Sequence, residues 1–107
     1  MALYILMTRL TVDCLADPRG RKAAGREWLK LVEQVCPEVK FLAHYALLGQ
    51  YDFMDIYEAP DDETAAKVSL ISRSTGAVTA ESWPAFPYQQ FLKLSKEVQG
   101  GVAKHDE

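Results

Sequence analysis

Gly49-Gln50-Tyr51-Asp52 interrupts two long apolar runs, Val39 to Leu48 and Phe53 to Ala59, and no other stretch limits the fold so much. Both runs are rich in β-branched, aromatic and aliphatic residues. A glycine between two such runs marks a tight strand-to-strand connection. Gly49 is expected there to take a backbone conformation costly for any residue with a Cβ. Tyr51 and Asp52 complete the turn, with Asp52 tying down loop amides. The flanks mirror each other: a strand, a helix and a strand lead into the turn, and the same three lead out.

The first strand is Leu3 to Leu10, almost wholly apolar and so central in a sheet. Thr11 to Asp17 reads as a polar connection. Asp17-Pro18 predicts a helix start, with Asp as N-cap and Pro at the first helical position. Ala24, Trp28, Leu31, Val32 and Val35 then fall on one helical face, and Pro37 ends the helix. Val39 to Leu48 and Tyr51 to Ala59 are the second and third strands. Pro60-Asp61-Asp62 opens the second helix, its carboxylates complementing the positive end. Ala65, Ala66, Val68, Leu70 and Ile71 supply the apolar side of that helix, and Gly76 suits its left-handed cap. Ala77 to Trp83 is the fourth strand, stopped by Pro84 and Pro87. Tyr88 to Val98 reads as a short amphipathic helix, and Gly100 to Glu107 as a polar, frayed tail.

The order β-α-β-β-α-β, with right-handed crossovers, predicts an α+β fold. It is the ferredoxin-like split βαβ sandwich, an antiparallel sheet in the order 4-1-3-2 with both helices on one face, plus a short C-terminal helix. Residues 1–87 form the domain, and residues 88–107 the added helix and tail.

Three motifs occur in order: Leu48-Gly49-Gln50-Tyr51-Asp52-Phe53, Glu58-Ala59-Pro60-Asp61-Asp62-Glu63 and Pro84-Ala85-Phe86. Together they resemble the GYD-domain family, with Gly49, Tyr51 and Asp52 as its eponymous letters. The resemblance covers about Leu3 to Phe86. It implies a fold like that of dimeric α/β-barrel proteins and supplies no catalytic residue. Two glycines in the first helix, Gly20 and Gly25, and the extension beyond Tyr88 depart from the family pattern.

A net charge of −3 gives no field to draw nucleic acid or an anionic membrane. The third strand is acidic, whereas RNA-recognition domains of the same strand order need a basic one. No apolar run approaches the roughly 20 residues that span a bilayer. The N-terminus reads as a strand and not as a signal peptide. Cys14 and Cys36 read as free thiols in a reducing cytoplasm. His44 and His105 lack ligands at metal spacing, and no phosphate-cradling glycine motif occurs, so neither metal nor cofactor is expected. Arg19, Arg21, Lys22 and Arg26, interleaved with Glu27, read as a solvated helix face.

Function is therefore expected on the open sheet face. On the third strand, alternation places Met54 and Ile56 under the helices and Phe53, Asp55 and Tyr57 outside. On the first strand, Ile5 and Met7 go inward and Tyr4, Leu6 and Thr8 outward. On the fourth, Val78 and Ala80 go inward and Thr79, Glu81 and Trp83 outward. On the second, either His44 or Tyr45 faces outward. The candidate ligand residues are Tyr4, Thr8, His44, Tyr45, Phe53, Asp55, Tyr57, Glu81 and Trp83. So apolar a face predicts a homodimer or a higher even-numbered oligomer, with a small-molecule chamber between the sheets. Asp55 is the most informative residue, because a carboxylate among apolar neighbours needs a partner or a raised pKa. The expected function is a small cytosolic binding or assembly module. The alternative is a cofactor-free oxygenase or isomerase with Asp55, His44 or a tyrosine as proton acceptor.

Overall fold

The computed structural model describes residues 1–106; Glu107, the end of the predicted tail, lies outside the described residues. The strands are β1 (Ala2–Leu10), β2 (Lys40–Ala46), β3 (Phe53–Ala59) and β4 (Ala77–Ala85). The helices are α1 (Val12–Leu15), α2 (Arg21–Val35), α3 (Asp62–Ser74) and α4 (Tyr88–Asp106). The sheet is antiparallel in the order β2-β3-β1-β4, the predicted order read from its other edge. Tyr4, Leu6, Tyr57 and Ala59 meet Val32 and Cys36 at the α2 end and Ala65, Val68 and Ile71 of α3 in one core. α2 and α3 thus cover one face, and the other face lies open.

Local chemistry moves two helix boundaries. The Asp17 carboxylate is engaged by the backbone N–H and guanidinium of Arg19, so it closes a turn and caps no helix. Gly20, at φ 85°, separates that turn from α2, which begins at Arg21 and not at Pro18. The polar connection before it holds α1, capped by the Thr11 hydroxyl, which accepts from Cys14 N–H. α3 starts as expected, with the Asp61 carboxylate accepting from Thr64 N–H, and Gly76 follows its end at φ 119°. Of the apolar side predicted for α3, Ala65, Val68 and Ile71 are buried, but Ala66 and Leu70 are exposed. Pro84 does not stop β4, because an edge strand tolerates a missing donor. α4 continues through Gly100 and Gly101 to Asp106, since glycine weakens a helix without breaking it. None of its residues is buried, and the molecule is 66 Å in its longest dimension.

Gly49 departs from expectation. Positive φ occurs at Gly20 and Gly76 alone among the described residues, and a Cβ at Gly49 would meet nothing within 4 Å. The turn is held instead by Asp52. Its carboxylate accepts from Leu10 N–H at 2.8 Å, its own N–H donates to Thr8 O at 2.8 Å, and its carbonyl accepts from Leu47 N–H at 2.9 Å. Asp52 therefore joins the hairpin to the end of β1.

Candidate functional site

The pairings settle which residues share a face, because directly opposed residues point the same way. Tyr4 opposes Tyr57, Leu6 opposes Asp55 and Thr8 opposes Phe53. Tyr4, Leu6 and Tyr57 belong to the core under the helices, so Phe53, Asp55 and Thr8 face the helices too. This inverts the expected assignment: Ile5, Met7, Met54 and Ile56 lie on the open side. On β2 the register shifts between Phe41 and Ala43, which brings Phe41 and His44 to the helix side and Tyr45 to the open side. Thr79, Glu81 and Trp83 lie open, as expected. Val78 does not go inward; it is exposed beside the irregularity opposite Arg9 and Leu10.

Six of the nine candidate residues therefore stay together, on the opposite face from the one predicted. Tyr4, Tyr57, His44 and Asp55 are tolerated there because each has a partner. Tyr4 and Tyr57 stack with ring centroids 5.5 Å apart. The Tyr4 hydroxyl donates to Asp62 Oδ1 at 2.6 Å, and the Tyr57 hydroxyl meets Ser82 Oγ at 2.7 Å. The Asp62 carboxylate, with burial, pushes the Tyr4 phenol up to about 12. Burial pushes Tyr57 up to about 12 as well. Both phenols stay protonated at neutral pH. Tyr45, Glu81 and Trp83 are separated from this group by the thickness of the sheet. Glu81 accepts there from the Tyr51 hydroxyl at 2.9 Å and from Trp83 Nε1 at 3.1 Å.

Between β1, β2, β3 and α2 lies a cavity of about 600 Å³. Thr8, His44, Phe53 and Asp55 line it, with Leu6, Leu10, Trp28 and Phe41 as apolar walls and Cys14, Arg21, Lys22, Gly25 and Arg26 along the helix side. Trp28 is positioned by its Nε1, which donates to Ser72 Oγ of α3 at 2.9 Å. Asp55 is 3% exposed, and its Oδ1 meets His44 Nδ1 at 2.5 Å. Burial raises the Asp55 pKa above the ordinary carboxylate value, while the attraction and hydrogen bond of His44 pull the other way. The His44 ring stacks on Phe53 at 5.2 Å, and the Arg21 guanidinium stands 5.4 Å from the same ring centre. With the carboxylate ionised, the ring donates from Nδ1 and leaves Nε2 free to exchange a proton.

Arg21, Cys14, Trp28 and Phe41 are cavity residues that the alternation argument missed. One sequence signal pointed to Arg21: it and Lys22 occupy the first turn of α2 with no acidic residue beside them, against the helix dipole.

The GYD domain family matches residues 4–94, so the chain belongs to that family. A relative from Thermus thermophilus, the glutamine synthetase and cystathionine beta-lyase binding protein, is 41% identical over 100 residues. That match covers 90% of this chain and 100% of the relative. No solved structure matches the chain at a significant level. Among the described residues no helix is long and apolar enough to cross a membrane.

Proposed function

We propose that this GYD-domain protein is a small homo-oligomeric binding module that holds a small molecule beneath α2 and offers its open sheet face to protein. The observation that carries the reading is the cavity of about 600 Å³ with a buried, partnered carboxylate in its wall. Its volume falls within the ~300–1,000 Å³ range of small-molecule sites, as does its pattern of apolar walls with few polar groups. The open face bears the half-buried Ile5, Met54 and Ile56 around the buried Met7, with the exposed Tyr45 and Trp83 beside them, and supports self-association or a protein partner. The Thermus relative, named for binding two enzymes, favours protein partners for this chain also. The free thiols of Cys14 and Cys36 suit a reducing cytoplasm.

Native mass spectrometry of the gently purified protein tests the module directly. A retained small molecule is expected, on a dimer or higher even species. The Gly25→Leu variant should lose that molecule without melting earlier. Gly25 lines the cavity, has no atom within 4 Å of an added Cβ, and sits in a helix that leucine favours. A monomer, or ligand retention in Gly25→Leu, overturns the respective half of the reading.

A second reading, a cofactor-free isomerase or oxygenase, is favoured by the His44–Asp55 pair in the cavity wall. A carboxylate that orients an imidazole toward a cavity is the arrangement of a general base. With both core phenols near 12, the proton acceptor in this reading is the pair and not Tyr4 or Tyr57. Deuterium uptake from D₂O into the retained molecule, abolished by His44→Ala, is the expected sign. Uptake unchanged in that variant rules out the pair as the base.

A further inference from the structure

We infer that the occupant of the cavity is a small organic anion, a carboxylate carried on a flat apolar body, with Arg21 as its anchor. This rests on the reading of the cavity as a ligand site. The argument begins with what Arg21 lacks. The ion pairs among the described residues join Arg19 to Asp17 and Glu27, and His44 to Asp55; none reaches Arg21. Its Nη1 donates to Cys14 Sγ at 3.0 Å, a weak acceptor, and its Nε is shut off from water with no partner. Asp17 lies near enough to feel the charge of Arg21 but forms no ion pair with it. A partly desolvated guanidinium without a directly paired carboxylate is costly, and an anion relieves the cost.

The surroundings add to that demand. Lys22 and Arg26 line the same cavity, and so does the amino end of α2, whose cap residue Gly20 offers no side-chain acceptor. Among the described residues Asp55 is the one acidic residue in the lining, and His44 already holds it. On a chain of net charge −3 this is a local excess of positive charge inside a concave site. The walls supply the second half of the specificity. Trp28, Phe41 and Phe53 offer aromatic surface that a bare inorganic anion would leave uncovered, and a neutral apolar molecule would leave Arg21 unpaired.

The test titrates the full chain with benzoate, benzyl alcohol and inorganic phosphate, followed by amide chemical shifts. Benzoate is expected to bind about tenfold more tightly than benzyl alcohol, the size of one charge-assisted contact. Arg21→Gln should bring the two to parity, and Arg21→Lys should retain part of the preference while guarding against a merely misfolded variant. Equal binding of benzoate and benzyl alcohol to the parent overturns the anion while leaving the cavity a ligand site. Phosphate binding as tight as benzoate overturns the apolar body. A benzoate preference unchanged in both Arg21 variants overturns the anchor. If neither organic probe binds, the cavity reading itself falls.

Discussion

The two faces of the sheet are both apolar, yet they differ in kind. The helix-covered face is aromatic and polar: Tyr4, Tyr57, Phe41, Thr8 and the buried Asp55. The open face is aliphatic on the two central strands, with Ile5, Met7, Met54 and Ile56, and takes Tyr45, Glu81 and Trp83 from the edge strands. Ranking the two by dryness would bury the second and expose the first, and the fold does the reverse. The covered face can carry hydroxyls and a carboxylate because neighbouring elements supply partners: Asp62 for Tyr4, Ser82 for Tyr57 and His44 for Asp55. Polarity predicts exposure only where no partner is within reach.

The largest effect that separates the faces is expected from Leu6→Ala against Ile5→Ala. Leu6 is 0% exposed, and removing its side chain should cost about 2–5 kcal/mol by chemical denaturation. Its neighbour Ile5, pointing the other way and half-buried, should cost less than half as much at low protein concentration. Its cost should grow with concentration if the open face is covered by a second copy, because the folded assembly is then drawn on by mass action. Equal costs at every concentration would break the comparison.

Next in size is Ile56→Glu, which places a charge in the middle of the open face. It should leave the melting of the isolated chain within about 1 kcal/mol, since a surface charge disturbs little. It should convert any dimer seen in sedimentation to monomer, because an unpaired charge in a packed interface is strongly disfavoured. A dimer that survives this change is held by another surface, such as the exposed apolar side of α4.

Element order and strand order were legible because periodicity, proline and glycine report local geometry. The helix start at Arg21 was not, since Asp17 has the right chemistry for a cap and uses it on Arg19 instead. The face assignment on β1 and β3, whose mutual pairing is regular, was inverted by ranking the two faces by dryness. Irregularities beside Leu42 on β2 and Val78 on β4 each shift alternation by one residue. The face assignment was hidden also by partners distant in sequence: Tyr4 and Asp62 lie 58 positions apart. The cavity was invisible for a further reason. Arg21 reads as one more solvated cation until the fold brings it against Phe53.

The smallest expected effect is the most diagnostic, because it asks what the covered face does to a charge. Asp55 titrates above the ordinary carboxylate value, chiefly because burial penalises its ionised form. The sign follows from linkage. As pH rises through the interval between the unfolded and folded values, the unfolded chain releases its proton first, so the native state loses stability. Asp55→Asn has no such proton. It should therefore melt at or below the parent in acid and gain on it as pH rises past the ordinary carboxylate range. The difference should settle within about 1 kcal/mol near neutrality, where the parent recovers part of the cost through His44. Thermal melts at a series of pH values measure this directly. Repeating them in a His44→Ala background sharpens the result. Without the imidazole, the influences that lower the Asp55 pKa are gone and burial acts alone, so the advantage of asparagine should be larger and reach to higher pH. A pH profile of Asp55→Asn parallel to that of the parent in both backgrounds would mean that Asp55 is as well solvated as a surface carboxylate, and that the covered face is wet.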